Sequence, residues 1–305
     1  MATRYQQTEK PPKKHIGKWV FRFSLLAIVY IAINAGICWK MIGGYKGGTY
    51  TDPASRGVSC NRVEFSNAHG QTLRAIYAST PDRPVIILCH GHHAARGQLS
   101  ALCTTLYLNC RFGVLAFDFH GSGESDGLVN AAGAVESEDV DAAIEFVQSK
   151  GYELQQIGLV GYDMGGIAAL GTASKLNELG AVVIVGAAET PLEQTRRAFK
   201  RRGIPIHPTA SLALAAAKAI SGANLDQPDL DWAFKALTRV PVLLVGGELD
   251  EQVPPELLRA VFASIPSTAK QLQFIPGRKH ADLVGASATT TRQKIKKFLV
   301  EYLNE

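Results

Sequence analysis

The stretch 157-IGLVGYDMGGIAAL-170 decides how the chain is read. An uninterrupted apolar run is followed by the turn Gly161-Tyr162-Asp163-Met164-Gly165 and then by a series of small residues suited to a helix. This is the pattern of a buried strand that turns sharply into a helix. Asp163 occupies the middle of that turn, at the carboxyl end of the strand, where open α/β sheets hold their ligands.

Working outward, 62-RVEFSN-67 and 72-TLRAIYAS-79 flank a turn at His69-Gly70 and read as a hairpin. Continuous apolar runs follow at 84-PVIILC-89, 113-GVLAFD-118, 181-AVVIVG-186, 241-PVLLVG-246 and 271-QLQFI-275. Because they do not alternate, they belong in strands covered on both faces, hence in a parallel sheet. Helical patterns lie near 96–110, 136–150, 164–178, 255–264 and 287–304. The order predicts a doubly wound, mostly parallel sheet of about eight strands opened by a hairpin. Residues 187–240 interrupt it with 196-RRAFKRRG-203, the Ala-rich 210-ASLALAAAKAI-220 and Trp232. An insertion at that point sits where a helical lid over a site would sit.

With 305 residues, 46% hydrophobic and 19% charged, the chain can bury one large core. Its net charge of +5 is concentrated in Arg4, Lys10, Lys13, Lys14, Lys18 and Arg22. The remainder is close to neutral, which excludes a nucleic-acid groove. Immediately after the start of this cluster, 20-VFRFSLLAIVYIAINAGIC-38 is about long enough to cross a bilayer, with Trp19 and Trp39 at interfacial positions and a polar interruption at Asn34. The expected organisation is a basic tail (1–19), a single-pass anchor (20–39), a Gly-rich flexible link (40–60) and a catalytic-sized domain (61–305). The charge asymmetry predicts a cytoplasmic N-terminus and an extracytoplasmic domain. A cleaved secretory signal is the competing reading, and a buried amphipathic helix of a cytosolic protein the third. Cys38, Cys60, Cys89, Cys103 and Cys110 are too few and too irregular for a disulfide framework or a zinc site.

Three loops fall at carboxyl ends of strands: 90-HGHHA-94, the turn at Asp163, and the pair 247-GELDEQVPP-255 with 277-GRKHADL-283. With 118-DFHGSGES-125 after the fourth strand, these pieces resemble the α/β-hydrolase family across roughly residues 60–304. The order elbow residue, acid, histidine is that family's order. The resemblance is closest to the branch of serine aminopeptidase-like and dienelactone-hydrolase-like esterases, whose nucleophile elbow reads G-[YF]-S-M-G-G. Here 161-GYDMGG-166 departs at one residue, and that residue is the nucleophile.

Roles follow from chemistry as well. His280 would be the base, since imidazole exchanges a proton near neutral pH without large tuning. Asp250 would orient it, ahead of Glu248 on loop register, although Asp250 could instead cap the following helix. Backbone N–H groups of Met164 and His92 would form an oxyanion hole. His92 and His93 are not expected to bind a metal, because adjacent imidazoles point in different directions and no third ligand is in register. No cofactor is expected. Asp118 and Asp126 read as structural, and Ser122 lies on the wrong loop to replace the nucleophile.

An aspartate at the elbow changes the reaction. A carboxylate attacking an ester carbonyl would form an anhydride, whereas displacement at saturated carbon, at an epoxide or a carbon–halogen bond, gives an alkyl ester whose carbonyl belongs to the enzyme. The α/β-hydrolase relatives with Asp at this position are epoxide hydrolases and haloalkane or haloacetate dehalogenases, whose elbow resembles G-x-D-W-G; here Met164 follows. Residues 187–240 contain no Tyr to activate an epoxide, but they do hold His207, Trp232, Arg196, Arg197, Arg201 and Arg202, the arginines being read as solvating an outer face. The expected function is a membrane-anchored hydrolase using Asp163, His280 and Asp250 on a small, lipophilic substrate. The alternative is a serine-hydrolase scaffold that has lost its nucleophile and binds a ligand or partner.

Overall fold

The computed structural model describes residues 16–47, 53–226 and 228–303. Arg4, Lys10, Lys13 and Lys14 of the basic tail lie outside the described residues. The chain opens with α1 (Ile16–Ile42), continues through the hairpin β1 (Asn61–Ser66) and β2 (Thr72–Ala78), and then alternates β3 (Val85–Cys89), α2 (Ser100–Cys110), β4 (Gly113–Phe117), α3 (Ser137–Gln148), β5 (Ile157–Tyr162), α4 (Met164–Ala173) and β6 (Ala181–Val185). Four helices follow, α5 (Pro191–Arg201), α6 (Ile206–Thr209), α7 (Ser211–Ser221) and α8 (Leu230–Ala236), before β7 (Val242–Gly247), α9 (Pro255–Ser264), β8 (Lys270–Ile275) and α10 (Thr289–Leu303).

The eight strands form one sheet in the order β1-β2-β4-β3-β5-β6-β7-β8. β2 runs antiparallel to both neighbours, and every pairing from β4 to β8 is parallel. The apolar runs are continuous because both faces of the sheet are covered. On β3, Val85, Ile87 and Cys89 join the layer under α3, α4, α8 and α9, whereas Ile86 and Leu88 join the layer under α2 and α10. Each of these five side chains is fully buried, as the two-residue period of a strand requires. β8, at the edge, is only half-buried.

The N-terminal helix corrects two expectations. It is long and apolar enough to cross a membrane, but it extends through Ile42 instead of ending at 39. The segment 40–60 is not a free tether in its described parts. Gly43 bridges Val129, Tyr45 bridges Ser122, and the Asn130 N–H donates to Ile42 O at 2.9 Å. Cys38, Met41 and Ile42 are buried in a small cluster with Ala131, Leu192, Ala213 and Ala217, so the last turns of α1 pack against α7 and the loop after β4. The exposed part is the N-terminal half: Phe21, Leu26 and Ile28 are each more than 60% exposed. Asn34, the polar break in the apolar run, is the hinge between these halves. It is 1% exposed, its amide donates to Thr209 O at 3.1 Å, and its carbonyl accepts from the Ala213 N–H at 2.8 Å.

Candidate active site

β5 and α4 present Asp163 at a turn that only close packing can make. The residue has φ 51° and ψ −119°, a region costing about 1–3 kcal/mol for a residue with a Cβ. The surroundings hold it there. Its N–H donates to Val185 O at 2.9 Å, and its carbonyl accepts from Gly166 and Ile167 at the start of α4. The two glycines of the turn are required by approach: a Cβ on Gly161 would stand 2.1 Å from Gly165 O, and one on Gly165 would stand 2.2 Å from Cys89 O.

The three residues singled out in sequence converge. His280 Nδ1 lies 2.8 Å from Asp250 Oδ2, and its Nε2 lies 3.7 Å from Asp163 Oδ1. The first is a hydrogen bond and the second an ion-pair separation. Asp250 is 2% exposed, and its other oxygen accepts from the N–H groups of Gln252 and Val253, each at 2.8 Å. Glu248, the competing carboxylate, is exposed and accepts from the Gly277 N–H at 3.2 Å, so Asp250 is the carboxylate bonded to His280. Asp163 Oδ2 accepts from the His92 N–H at 3.0 Å. Met164 occupies the first position of α4, where N–H groups are left without intrahelical partners.

One imidazole and two carboxylates share this cluster. Burial alone would lower the His280 pKa, but the carboxylates of Asp163 and Asp250 more than offset it and push it up to about 9. Burial raises the Asp163 carboxyl, and the His280 charge and the His92 N–H overcome it, leaving the group below its ordinary value. His280 is therefore an imidazolium between two carboxylates at neutral pH.

His92 and His93 do not diverge as expected. The positive φ of His93, 50°, folds its ring back over that of His92, with centroids 3.9 Å apart. Both Nε2 atoms lie 3.1 Å from the carbonyl oxygen of Lys40. A carbonyl only accepts, so both nitrogens carry hydrogen, and the two rings cap the end of α1. Burial and the neighbouring ring lower the His92 pKa to about 4. Asp118 and Asp126 are structural, as expected. Asp118 accepts from the Arg96 backbone at 2.7 Å and pairs with its guanidinium, and Asp126 accepts from the Thr72 N–H at 3.0 Å.

A cavity of about 530 Å³ lies over Asp163 and His280. The insertion between β6 and β7 roofs it through Gln194, Thr195 and Phe199. Two lid arginines reach acceptors on a neighbouring loop, contrary to the expectation of a solvated outer face. Arg197 pairs with Glu189 and donates to Gln252 O, and Arg201 donates to Glu251 O at 2.6 Å. They latch the lid to the loop that carries Asp250. Ile37, Lys40 and Met41 of α1 also line the cavity, a contact with no local signature in the chain. The sole hint was Asn34, a polar residue too deep in an apolar run to be idle. Tyr162 was missed as well: its hydroxyl donates to His280 O at 3.2 Å, bracing the ring.

Residues 80–229 match the sequence model of the serine aminopeptidase S33 family. The chain is 34% identical over 85 residues to an Escherichia coli 31.7 kDa protein of the traX-finO intergenic region, a match spanning 30% of that protein. To the YfhR protein of E. coli K12 it is 24% identical over 253 residues, covering 81% of this chain and 82% of YfhR. Among solved structures, the Pyrococcus furiosus esterase Pf2001 superposes with a TM-score of 0.70 at 18% identity, over 87% of this chain and 99% of that one. The chain therefore has the α/β-hydrolase fold, and its residues 80–229 carry a sequence pattern similar to that of the serine aminopeptidase S33 family.

Proposed function

We propose that the protein is a hydrolase in which Asp163 displaces a leaving group at saturated carbon and His280, held by Asp250, directs water onto the resulting ester. The observation that carries this reading is the division of labour between the two Asp163 oxygens. Oδ2 accepts from the His92 N–H, while Oδ1 faces His280 and the cavity. A substrate ester would need that same N–H for its own carbonyl oxygen, so ester cleavage by attack at carbonyl carbon is disfavoured.

Displacement uses the arrangement as it stands. Oδ1 attacks carbon, the carbon–halogen or carbon–oxygen bond breaks, and the electron pair leaves with halide or alkoxide. Esterification removes the Asp163 charge, so His280 loses one of its two anionic partners and releases its proton to solvent. The neutral ring then takes a proton from water, whose oxygen attacks Asp163 Cγ. The negative charge develops on Oδ2, already at the His92 N–H, and collapse expels the product alkoxide, which takes the proton back from His280. The absence of Tyr from residues 187–240 favours halide over epoxide.

A single turnover in heavy-oxygen water tests this. The label should enter the Asp163 carboxylate, and the product of that first turnover should carry an oxygen from Asp163. His280→Gln should accumulate a protein adduct of alkyl halide detectable by mass. The second reading, a ligand-binding homologue without turnover, is favoured by the Asp163–His280–Asp250 cluster, in which the imidazole already has a carboxylate on each side without substrate. No label in Asp163 and no adduct across alkyl halides and epoxides would establish it.

A further inference from the structure

The lid tip 203-GIPIHPTAS-211 is bolted to the side of α1. The Tyr30 hydroxyl donates to Pro208 O at 2.6 Å, and Asn34 joins Thr209 and Ala213. From Trp19 to Trp39, α1 rises about 30 Å, the thickness of a bilayer's hydrocarbon core. Asn34 and Tyr30 then lie about 7 and 13 Å below the level of Trp39 along the helix axis. Whatever surrounds residues 30–34 of α1 must also surround the lid tip.

Two independent features suit the tip to that depth. Apart from His207 its exposed side chains are apolar: Ile204 is 41% exposed, and beside the tip Leu212, 44% exposed, and Ile220 continue the apolar face of α1 along a groove of about 360 Å³ shared with Ile31 and Trp39. Part of its backbone polarity is absent or met within the protein, which hydrocarbon rewards and water does not. Pro205 and Pro208 have no N–H, the Ile204 N–H donates to Phe199 O at 3.1 Å, the Ala210 N–H donates to Ile206 O at 2.7 Å, and the carbonyls of Pro208 and Thr209 are taken by Tyr30 and Asn34. Even His207, the titratable group of the tip, has Nδ1 2.7 Å from Ser211 Oγ. Cations flank the tip in sequence: Lys200 and Arg202 precede it, Lys218 follows on α7, and Lys40 stands beside Trp39.

We propose that this lid tip is inserted into the bilayer beside α1, so that the cavity between Lys40 and Arg202 opens at the level of the headgroups and takes its substrate from the lipid phase. The partner is a lipid surface bearing anionic headgroups. The inference rests on the reading of α1 as a membrane span, and it makes the lid, not only the anchor, a membrane element.

The test uses the full chain in vesicles of phosphatidylcholine and phosphatidylglycerol. Cys60 is replaced by serine, the other four cysteines being buried. Single cysteines carrying nitroxides are introduced as Ile204→Cys, Leu212→Cys, Leu26→Cys on the anchor and Glu256→Cys on α9. Collision with oxygen and with a water-soluble nickel chelate reports depth. Ile204 and Leu212 should lose nickel accessibility and gain oxygen accessibility as Leu26 does, while Glu256 keeps the values of water. Leu26 in lipid with both lid positions in water overturns the inference and leaves the anchor standing. Leu26 in water overturns both. Spin–spin broadening at Leu212 that vanishes on dilution with unlabelled protein would put a second copy on the tip, and also overturns it.

Discussion

Replacing Asp163 by asparagine isolates the charge that holds His280 in its resting form. The amide keeps an oxygen for the His92 N–H, now 3.0 Å from Oδ2, and removes only the negative charge 3.7 Å from His280 Nε2. In the unaltered protein the imidazole is raised from 6.5 to about 9, which corresponds to roughly 3 kcal/mol of preference for the protonated ring. Asp250 supplies the closer contact, so the substitution should leave part of that preference and lower the His280 titration by on the order of one to two pH units. The linked stability has a definite sign. A raised pKa contributes stability that is complete below 6.5 and is lost as pH rises through about 9. His120, buried but drawn up to about 9 by Asp139 and Glu136, contributes in the same window. The difference between the two proteins, not the absolute slope, therefore reports His280. Nuclear magnetic resonance of ring-labelled histidines gives the titration, and thermal melting between pH 6 and 10 gives the stability. A His280 that titrates near its ordinary value in both proteins, with parallel melting profiles, would refute the resting ion pair and the proton release derived from it.

Asn34→Leu removes the bonds to Thr209 and Ala213 and leaves their backbone groups without them, which should cost about 2–4 kcal/mol of cohesion between lid and anchor; faster proteolysis within residues 203–210 is the readout. Gly165→Ala places a methyl 2.2 Å from Cys89 O, backbone against backbone, and should destabilise by about 3 kcal/mol or abolish folding, seen as a lowered melting temperature. Arg197→Met takes the cation from Glu189, whose carboxyl burial already raises; Glu189 should titrate higher still, and amide exchange in α5 should quicken. Leu88→Ala, at a fully buried position of β3, should cost about 2–5 kcal/mol in denaturant unfolding.

The strands were legible because each central one is buried on both faces, so that Val85–Cys89, Ile157–Tyr162 and Val242–Gly247 read as unbroken apolar runs bounded by turns. Asp163, Asp250 and His280 were legible because each follows a strand, and parallel strands bring their carboxyl ends to one edge. What escaped were contacts without a local signature. Nothing in 90-HGHHA-94 announces that both imidazoles will meet a carbonyl some fifty residues earlier, since that depends on how α1 lands on the domain. The latching arginines escaped for a related reason. A run of basic residues on an amphipathic helix reads as a solvated face, and only the position of the Asp250 loop reveals two acceptors within reach.

The cap that His92 and His93 place on Lys40 divides α1 into two stretches under different sequence rules. Before Asn34, Tyr30 apart, the exposed helix asks only for length and hydrophobicity, so shuffling Phe21, Leu26 and Ile28 among apolar residues should be silent. From Asn34 to Ile42 the inward positions Asn34, Ile37, Cys38, Met41 and Ile42 pack against the domain or line the cavity, and tolerate substitution no better than an internal strand. Shortening the chain to begin after residue 42, the ordinary route to a water-soluble fragment, would therefore release a domain whose site is open on one side. Trimming it to begin near residue 30 would preserve the wall, so the smallest faithful fragment keeps the final turns of α1.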